Sequence, residues 1–464
     1  MLPRKHTLLI FALVVNAFLI SVQAANEKPN ILIIFTDDQG YGDVGCYGNQ
    51  VIKTPRLDQL AKEGTLFSSF YAQPVCGPSR SALLTGRYPV RSQGWSMPAE
   101  EITFAELLKP AGYQTACIGK WDVSNRKAII ERMPNAQGFD HYFGPLGAND
   151  GGIVTFHENN EPAGRTTDMG SLARLYTDKA IDYLENRRNP DQPFLLYLAH
   201  TMMHTNIDAS PEFKGTSAGG LYGDVVEEFD FETGRLLDRL DSLGLRENTL
   251  VIFTSDNGPW SQPRYYLVKM GRLGKSNNQR DPRWLMPDDS IFWGDPGPLR
   301  GAKGSAYEAG SRVPCIVRWP GKVPSGRTSD AVWATIDLLP TFVSLAGGEM
   351  PSDRVIDGED QTNLLLGNLD EGRDTFVYDQ VSQKDAQSMA IGIRKGKWKL
   401  LLPNREPSEA HRYVMDFGSN DYELYNLDSD IGERWNLASD YPAVVEELEA
   451  ELNKFRRTVK ESSL

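Results

Sequence analysis

Cys76 opens the run Cys76-Gly77-Pro78-Ser79-Arg80, which continues as Ser81-Ala82-Leu83-Leu84-Thr85-Gly86-Arg87. Pro78 suits the first turn of a helix, and Ala82, Leu83 and Leu84 supply its apolar side, so residue 76 is predicted to sit at a helix N-terminus. Backbone N–H groups and the helix dipole favour a negative group there, whether a thiolate, an alkoxide or a bound oxyanion. Taken alone, a single Cys reads equally as a small buried hydrophobe. Asp37-Asp38 and Asp256-Asn257 each follow an apolar run. Three carboxylates and one amide oxygen are hard donors, suited to Ca²⁺ or Mg²⁺ rather than zinc. Singly, each pair is also ordinary turn chemistry, Asn257-Gly258 above all. His200 and His204 lie four apart in His200-Thr201-Met202-Met203-His204-Thr205, with no acidic neighbour to make them a zinc pair. Lys120 follows Gly119, and Lys303 stands in Gly297-Pro298-Leu299-Arg300-Gly301-Ala302-Lys303-Gly304.

The elements that must position these groups are legible as alternating apolar runs and helical spacings. Asn30 to Phe35, Gln114 to Ile118, Phe194 to Ala199, Leu250 to Thr254 and Val313 to Arg318 read as buried strands. Helical patterns run near Pro55 to Glu63, Thr103 to Lys109, Val225 to Leu243 and Ile336 to Ala346. This rhythm predicts an α/β fold with a large, mostly parallel central sheet flanked by helices. The polar clusters fall at the carboxyl ends of strands, where such sheets place their sites. From about Thr375 the pattern changes to short strands, Phe376 to Tyr378, Ala390 to Ile393, Trp398 to Leu401 and Glu423 to Asn426. A helix from Pro442 to about Val459 follows, giving a smaller C-terminal subdomain of antiparallel sheet plus helix. The expected division is a signal peptide over 1–24, a catalytic domain over 25–372 and the C-terminal subdomain over 373–464, joined through the Gly- and Asp-rich stretch from Glu349 to Gly372.

Cys-x-Pro-Ser-Arg followed by Leu-Thr-Gly-Arg resembles the signature of the type I sulfatases of the alkaline phosphatase superfamily, in which the Cys is oxidised after translation to formylglycine (3-oxoalanine). The resemblance covers almost the whole chain after the leader and implies the alkaline-phosphatase-like fold. It implies a metal site of Asp37, Asp38, Asp256, Asn257 and residue 76 holding Ca²⁺, with Mg²⁺ as the alternative. It further implies a host enzyme that makes formylglycine from Cys76, Arg80 bracing that side chain, and His204 protonating the leaving oxygen. Lys120 and Lys303 would contact sulfate, and His200, Asn149 and Asp150 are candidates for substrate contact. Two positions depart from the pattern. Asp122 stands where most relatives have a His credited with helping the sulfated gem-diol collapse; it could accept that proton or simply pair with Lys120. Ala148 replaces a common Ser.

Between the motifs, Gln262 to Pro287 carries Arg264, Lys269, Arg272, Lys275, Arg280 and Arg283 against one acid, Asp281, with Tyr265, Tyr266 and Trp284 interspersed. This is either a solvated loop or a subsite in which cations meet anionic groups and aromatic faces meet sugar rings, with Arg264, Lys269, Arg272 and Trp284 as candidates. The expected function is therefore hydrolysis of a sulfate ester on a carbohydrate polymer or oligosaccharide. A phosphodiester or phosphonate monoester hydrolase, and a glycan-binding pseudoenzyme, are the alternatives.

Composition sets the address. Arg4 and Lys5, an apolar run from Leu8 to Ile20 and small residues at Ala24 and Ala25 read as a cleaved leader, predicting an exported, periplasmic or secreted protein with no stable membrane span after cleavage. With 49 basic against 62 acidic residues the net charge is -13, which excludes a general nucleic-acid binder. Four cysteines, one assigned to chemistry, allow at most one disulfide; Cys46, Cys117 and Cys315 are expected to be reduced and buried.

Overall fold

The computed structural model describes residues 28–260, 294–381, 388–403 and 419–461. The expected leader and the cationic loop with Arg264, Lys269, Arg272 and Trp284 lie outside the described residues.

An eleven-stranded sheet forms the body. Its strands are β1 (Asn30–Thr36), β2 (Thr65–Tyr71), β3 (Gln114–Gly119), β4 (His141–Pro145), β5 (Val154–Glu158), β6 (Glu161–Thr166), β7 (Phe194–Ala199), β8 (Thr249–Ser255), β9 (Arg312–Arg318), β10 (Arg327–Ser329) and β11 (Trp333–Ala334). They lie in the order β10-β2-β9-β8-β1-β7-β3-β4-β5-β6, with β11 also paired to β2. The central strands β8, β1, β7 and β3 are mutually parallel, so their carboxyl ends share one edge. Every residue of β1 is buried. Ile31, Ile33 and Phe35 pack into one apolar layer, while Leu32 and Ile34 pack into the other. Burial on both faces is why this strand reads as an unbroken apolar run rather than an alternating one.

The expected parallel rhythm fails at β9. It pairs antiparallel to both β8 and β2. Its start therefore lies at the same edge as the ends of β8 and β2, which brings the segment before β9, with Lys303, beside the segment after β2, with Cys76.

A second sheet, β12 (Thr375–Val381), β13 (Ser388–Lys395), β14 (Trp398–Leu401) and β15 (Glu423–Asn426), is four-stranded and antiparallel throughout. The helix Pro442–Glu461 packs Val445, Leu448 and Leu452 onto it. Tyr71, Ala82 and Tyr88 from the body join the same apolar cluster as Phe376, Ile393 and Leu400, so the second sheet rests on the Cys76 helix region. All four cysteines are free; Cys117 and Cys315 are buried as expected, whereas Cys46 is half-exposed.

Candidate active site

Cys76 begins the fully buried helix Cys76–Thr85, as the position of Pro78 requires. The indole of Trp95 covers its first turn so closely that a Cβ on Gly77 would meet it at 2.0 Å. The thiol faces carboxylates and ammonium groups together. Sγ is 3.3 Å from Asp37 Oδ1 and 3.8 Å from Asp38 Oδ1, and Lys303 Nζ donates to it at 3.2 Å. Burial and the Asp37 charge push the thiol well above its ordinary value, against the two lysines.

Four parallel strand ends deliver the surrounding groups. Beyond β1, Asp37 and Asp38 are buried, Asp38 with a left-handed φ of 61° that costs a non-glycine residue about 1 kcal/mol. Beyond β8, Asp256 accepts from Arg80 Nε at 3.1 Å and Nη2 at 2.8 Å. Arg80 also donates to the Lys120 carbonyl at 3.1 Å, so among the described contacts it braces the carboxylates rather than residue 76 directly. At the end of β3, Gly119 has φ of 112° and no room for a Cβ, which would lie 1.9 Å from the Ala199 carbonyl. That turn aims Lys120 inward, where Nζ lies 2.7 Å from Asp37 Oδ2 and 3.2 Å from Asp122 Oδ2. Lys303 Nζ reaches Asp38 at 2.6 Å and 2.8 Å.

The donors fit a hard divalent cation. One ligand atom each from Asp37, Asp38, Cys76 and Asp256 lie within 4.8 Å of one another. Asn257 Nδ2 is spent on Asp38 and Gly258, leaving its buried Oδ1 without a partner among the described residues. An orphaned amide oxygen beside three carboxylates is unfavourable until a cation takes it. Burial would raise Asp37, yet Lys120 with His204, Arg80 and Lys303 holds it well below the usual carboxylate range; burial and the Asp37 charge instead push Asp256 up to about 7.

Beyond β7 the two histidines part company. His200 is packed edge-on between Tyr176 and Phe229, and its Nδ1 accepts from the Met202 backbone. Burial holds it neutral, at about 3, so it sits behind the site as a structural group rather than toward substrate. His204 points inward. Its Nδ1 bonds the Thr205 carbonyl at 2.5 Å, so Nε2 faces the cavity, 3.9 Å from both Asp38 Oδ2 and Asp150 Oδ1. Asn149 is wholly buried and clamps this loop through Nδ2 to the carbonyls of Thr201 and His204, both at 3.3 Å. Its place is under the His204 loop.

Asp122 is committed. Oδ2 takes Lys120 and the Trp95 Nε1–H, each at 3.2 Å, and Oδ1 takes Arg126 Nε at 2.7 Å. Burial opposes its ionisation, but Arg126 and Lys120 prevail and hold the carboxyl below its ordinary value. Arg126 also reaches Asp150 Oδ2 at 2.6 Å. Neither Trp95 nor Arg126 was singled out by sequence; the one available signal was the four-residue spacing from Asp122 to Arg126.

Comparison with known proteins identifies the family. The sulfatase family profile matches residues 29–348, and the C-terminal profile of N-sulphoglucosamine sulphohydrolase matches residues 302–458. The architecture and site define a sulfuric ester hydrolase of the alkaline-phosphatase-like superfamily. Within that class, the chain belongs to the sulfatase family. It is 36% identical over 400 residues to the N-acetylgalactosamine-6-sulfatase of Canis lupus familiaris, covering 79% of this chain and 71% of that one. The N-acetylgalactosamine-6-O-sulfatase of Bacteroides thetaiotaomicron is 31% identical, with 91% of this chain and 92% of that one covered. A solved structure from work on glycosaminoglycan metabolism in Bacteroides thetaiotaomicron superimposes with a TM-score of 0.78 at 27% identity, over 93% of this chain and all of that one. The structure of Ps i-CgsB bound to a neocarrahexaose gives 0.74 at 27% identity, over 92% and 93% of the two chains. Among the described residues, no helix is long and apolar enough to cross a membrane.

Proposed function

We propose that this sulfatase removes sulfate from a carbohydrate, with an N-acetylgalactosamine 6-sulfate or a related glycosaminoglycan unit as the substrate class and formylglycine made from Cys76 as the nucleophile. The observation that carries this reading is the convergence on Cys76 Sγ of two carboxylates and the Lys303 ammonium, with Lys120 one carboxylate away. The substrate class follows the activity of the relatives in dog and Bacteroides thetaiotaomicron, both N-acetylgalactosamine-6-sulfatases by name.

Asp37, Asp38, Asp256 and Asn257 would hold Ca²⁺ or Mg²⁺, which supplies positive charge to the sulfate oxygens. A hydrated aldehyde at position 76 supplies a hydroxyl for attack on sulfur and a second one for release of sulfate. Lys120 and Lys303, both buried, bear the charge that develops on the sulfate oxygens. The Thr205 carbonyl takes the Nδ1–H of His204, so Nε2 gives a proton to the departing sugar oxygen from the imidazolium form. Burial and Lys303 hold the ring below its ordinary value and make it a ready donor, while Asp38 and Asp150 favour the imidazolium. Asp122 holds Lys120 in place. This reading includes export through the segment 1–24, and a C-terminal subdomain over 373–464.

The test is the mass of the peptide containing residue 76, from protein made with a competent maturation enzyme, together with sulfate release from N-acetylgalactosamine 6-sulfate. Exchange of sulfur and two hydrogens for one oxygen at residue 76, with sulfate release that disappears in Cys76→Ala, is expected. An unmodified, inactive Cys76 beside matured control sulfatases would overturn the reading.

A further inference from the structure

The charged groups around Cys76 form a belt, Asp37, Lys120, Asp122, Arg126, Asp150, His204, Asp38 and Lys303, each within 3.9 Å of the next, and its two ends, Asp37 and Lys303, meet at Cys76 Sγ. Two members differ from the others. The side chains of Arg126 and Asp150 are 40% and 37% exposed, whereas those of the others are 4% or less. They form the mouth of the site.

Each keeps an atom that hydrogen-bonds to no other member of the belt. Arg126 spends Nε on Asp122 and Nη1 on Asp150, and its Nη2 has no acceptor among the described residues. Asp150 spends Oδ2 on Arg126, and its Oδ1 is 3.9 Å from His204 Nε2. If His204 protonates the leaving oxygen, the sugar carrying that oxygen must lie against this pair. One guanidinium N–H and one carboxylate oxygen side by side match a neutral hydroxyl, which both accepts and donates. They do not match a second anion. Arg126 is already shared between two carboxylates, so an additional sulfate would meet the charge of Asp150 with little net cation to offset it.

We propose that Arg126 and Asp150 are a specificity pair that reads a free ring hydroxyl beside the scissile sulfate and rejects a sulfate at that position. This rests on the assignment of His204 and residue 76 above. Charge-assisted bonds to one hydroxyl should favour the hydroxylated substrate roughly tenfold over its deoxy analogue, because a bound sugar covers the pair and the missing hydroxyl would leave both charged groups without their partner.

The experiment compares kcat/KM of the matured enzyme on N-acetylgalactosamine 6-sulfate, its 3-deoxy and 4-deoxy analogues, and the 4,6-disulfate, with 4-nitrophenyl sulfate as a substrate lacking ring hydroxyls. One deoxy analogue and the disulfate should be disfavoured at least about tenfold by the wild type. In Asp150→Ala and Arg126→Lys both preferences should shrink to within about threefold, beyond any loss that each variant also shows on the aryl sulfate. The same ratios are read as Kd by calorimetry on Cys76→Ala, which needs no turnover. Failure of the matured enzyme to release any sulfate would sink the nucleophile assignment, and the Kd ratios would still decide this one. A wild type with no hydroxyl preference, or variants that keep it unchanged, would overturn the specificity pair.

Discussion

Asp122 takes three donors on two oxygens, and that arrangement decides between the two roles its position allows. A carboxylate held below its ordinary value by Arg126 and Lys120 is a weak base near neutrality, so its work is to fix the Lys120 ammonium. Asp122→Asn should therefore lower kcat about tenfold, equivalent to ~1.4 kcal/mol, and leave both limbs of the pH–rate profile where they were. Disappearance of a limb would make Asp122 the proton acceptor instead. Asn257 supports a second residue-scale expectation. Its Oδ1 has no hydrogen-bond partner among the described residues, so Asn257→Ala should weaken Ca²⁺ binding about tenfold or more, read by calorimetry on the purified protein. At this scale the acids, Cys76, both lysines and His204 were legible, because residue type and strand-end position both mark them. Arg126 and Trp95 were not: an Arg and a Trp in a loop carry no chemical signature until the fold brings them against Asp122.

Elements were legible where burial is two-sided. β1, β7 and β8 are buried throughout and carry the unbroken apolar stretches Ile31 to Phe35, Phe194 to Ala199 and Leu250 to Phe253, whereas β2 carries Ser68 and Ser69 and β6 is almost wholly exposed, so neither presents a run to read. The direction of β9 could not be read at all, since an apolar run is the same forwards and backwards. Its direction matters because the helical turn Glu308–Ser311 between Lys303 and β9 is anchored to the second sheet. Glu308 is fully buried; it receives Tyr71 and Tyr378 hydroxyls at 2.5 Å and 2.6 Å, and Lys399 of β14 lies 3.0 Å from it and 2.7 Å from Glu433. Burial works against ionisation of Glu308, but Lys399, Arg312 and Arg394 outweigh it and hold the carboxyl far below its usual value. Lys399→Met would take the paired cation from Glu433 and leave Glu308 to Arg312, and should destabilise the fold by about 3 kcal/mol in denaturant titration while lowering kcat through the misplaced Lys303 segment. A neutral result would mean the network is dispensable for joining the sheets.

For the whole molecule, the net charge of -13 says little about a site whose cations are buried among its acids, and the way the two sheets join is written in pairings that sequence order does not reveal. The junction holds a carboxyl with an unusual burden. Asp379 on β12 is 1% exposed, and neither oxygen has a side-chain partner among the described residues. Burial pushes it up to about 7, while the Val90 backbone N–H and, more weakly, Arg91, itself paired with Asp357 at 3.0 Å, give only partial relief. The sign follows from linkage. A folded-state value raised above the unfolded one means the native state binds the extra proton, so the contribution is fully present below about 4 and is lost as pH rises through about 7. Other groups oppose this; burial lowers His141 and His157, which favours the native state as pH rises toward 6.5. Comparing wild type with Asp379→Asn cancels those terms. The variant keeps the shape and cannot ionise, so its thermal midpoint relative to wild type should climb between pH 5 and pH 8, reaching an advantage of about 1–3 kcal/mol at the upper end. A difference that stays flat across that range in scanning calorimetry would mean Asp379 is charged and compensated at the junction throughout.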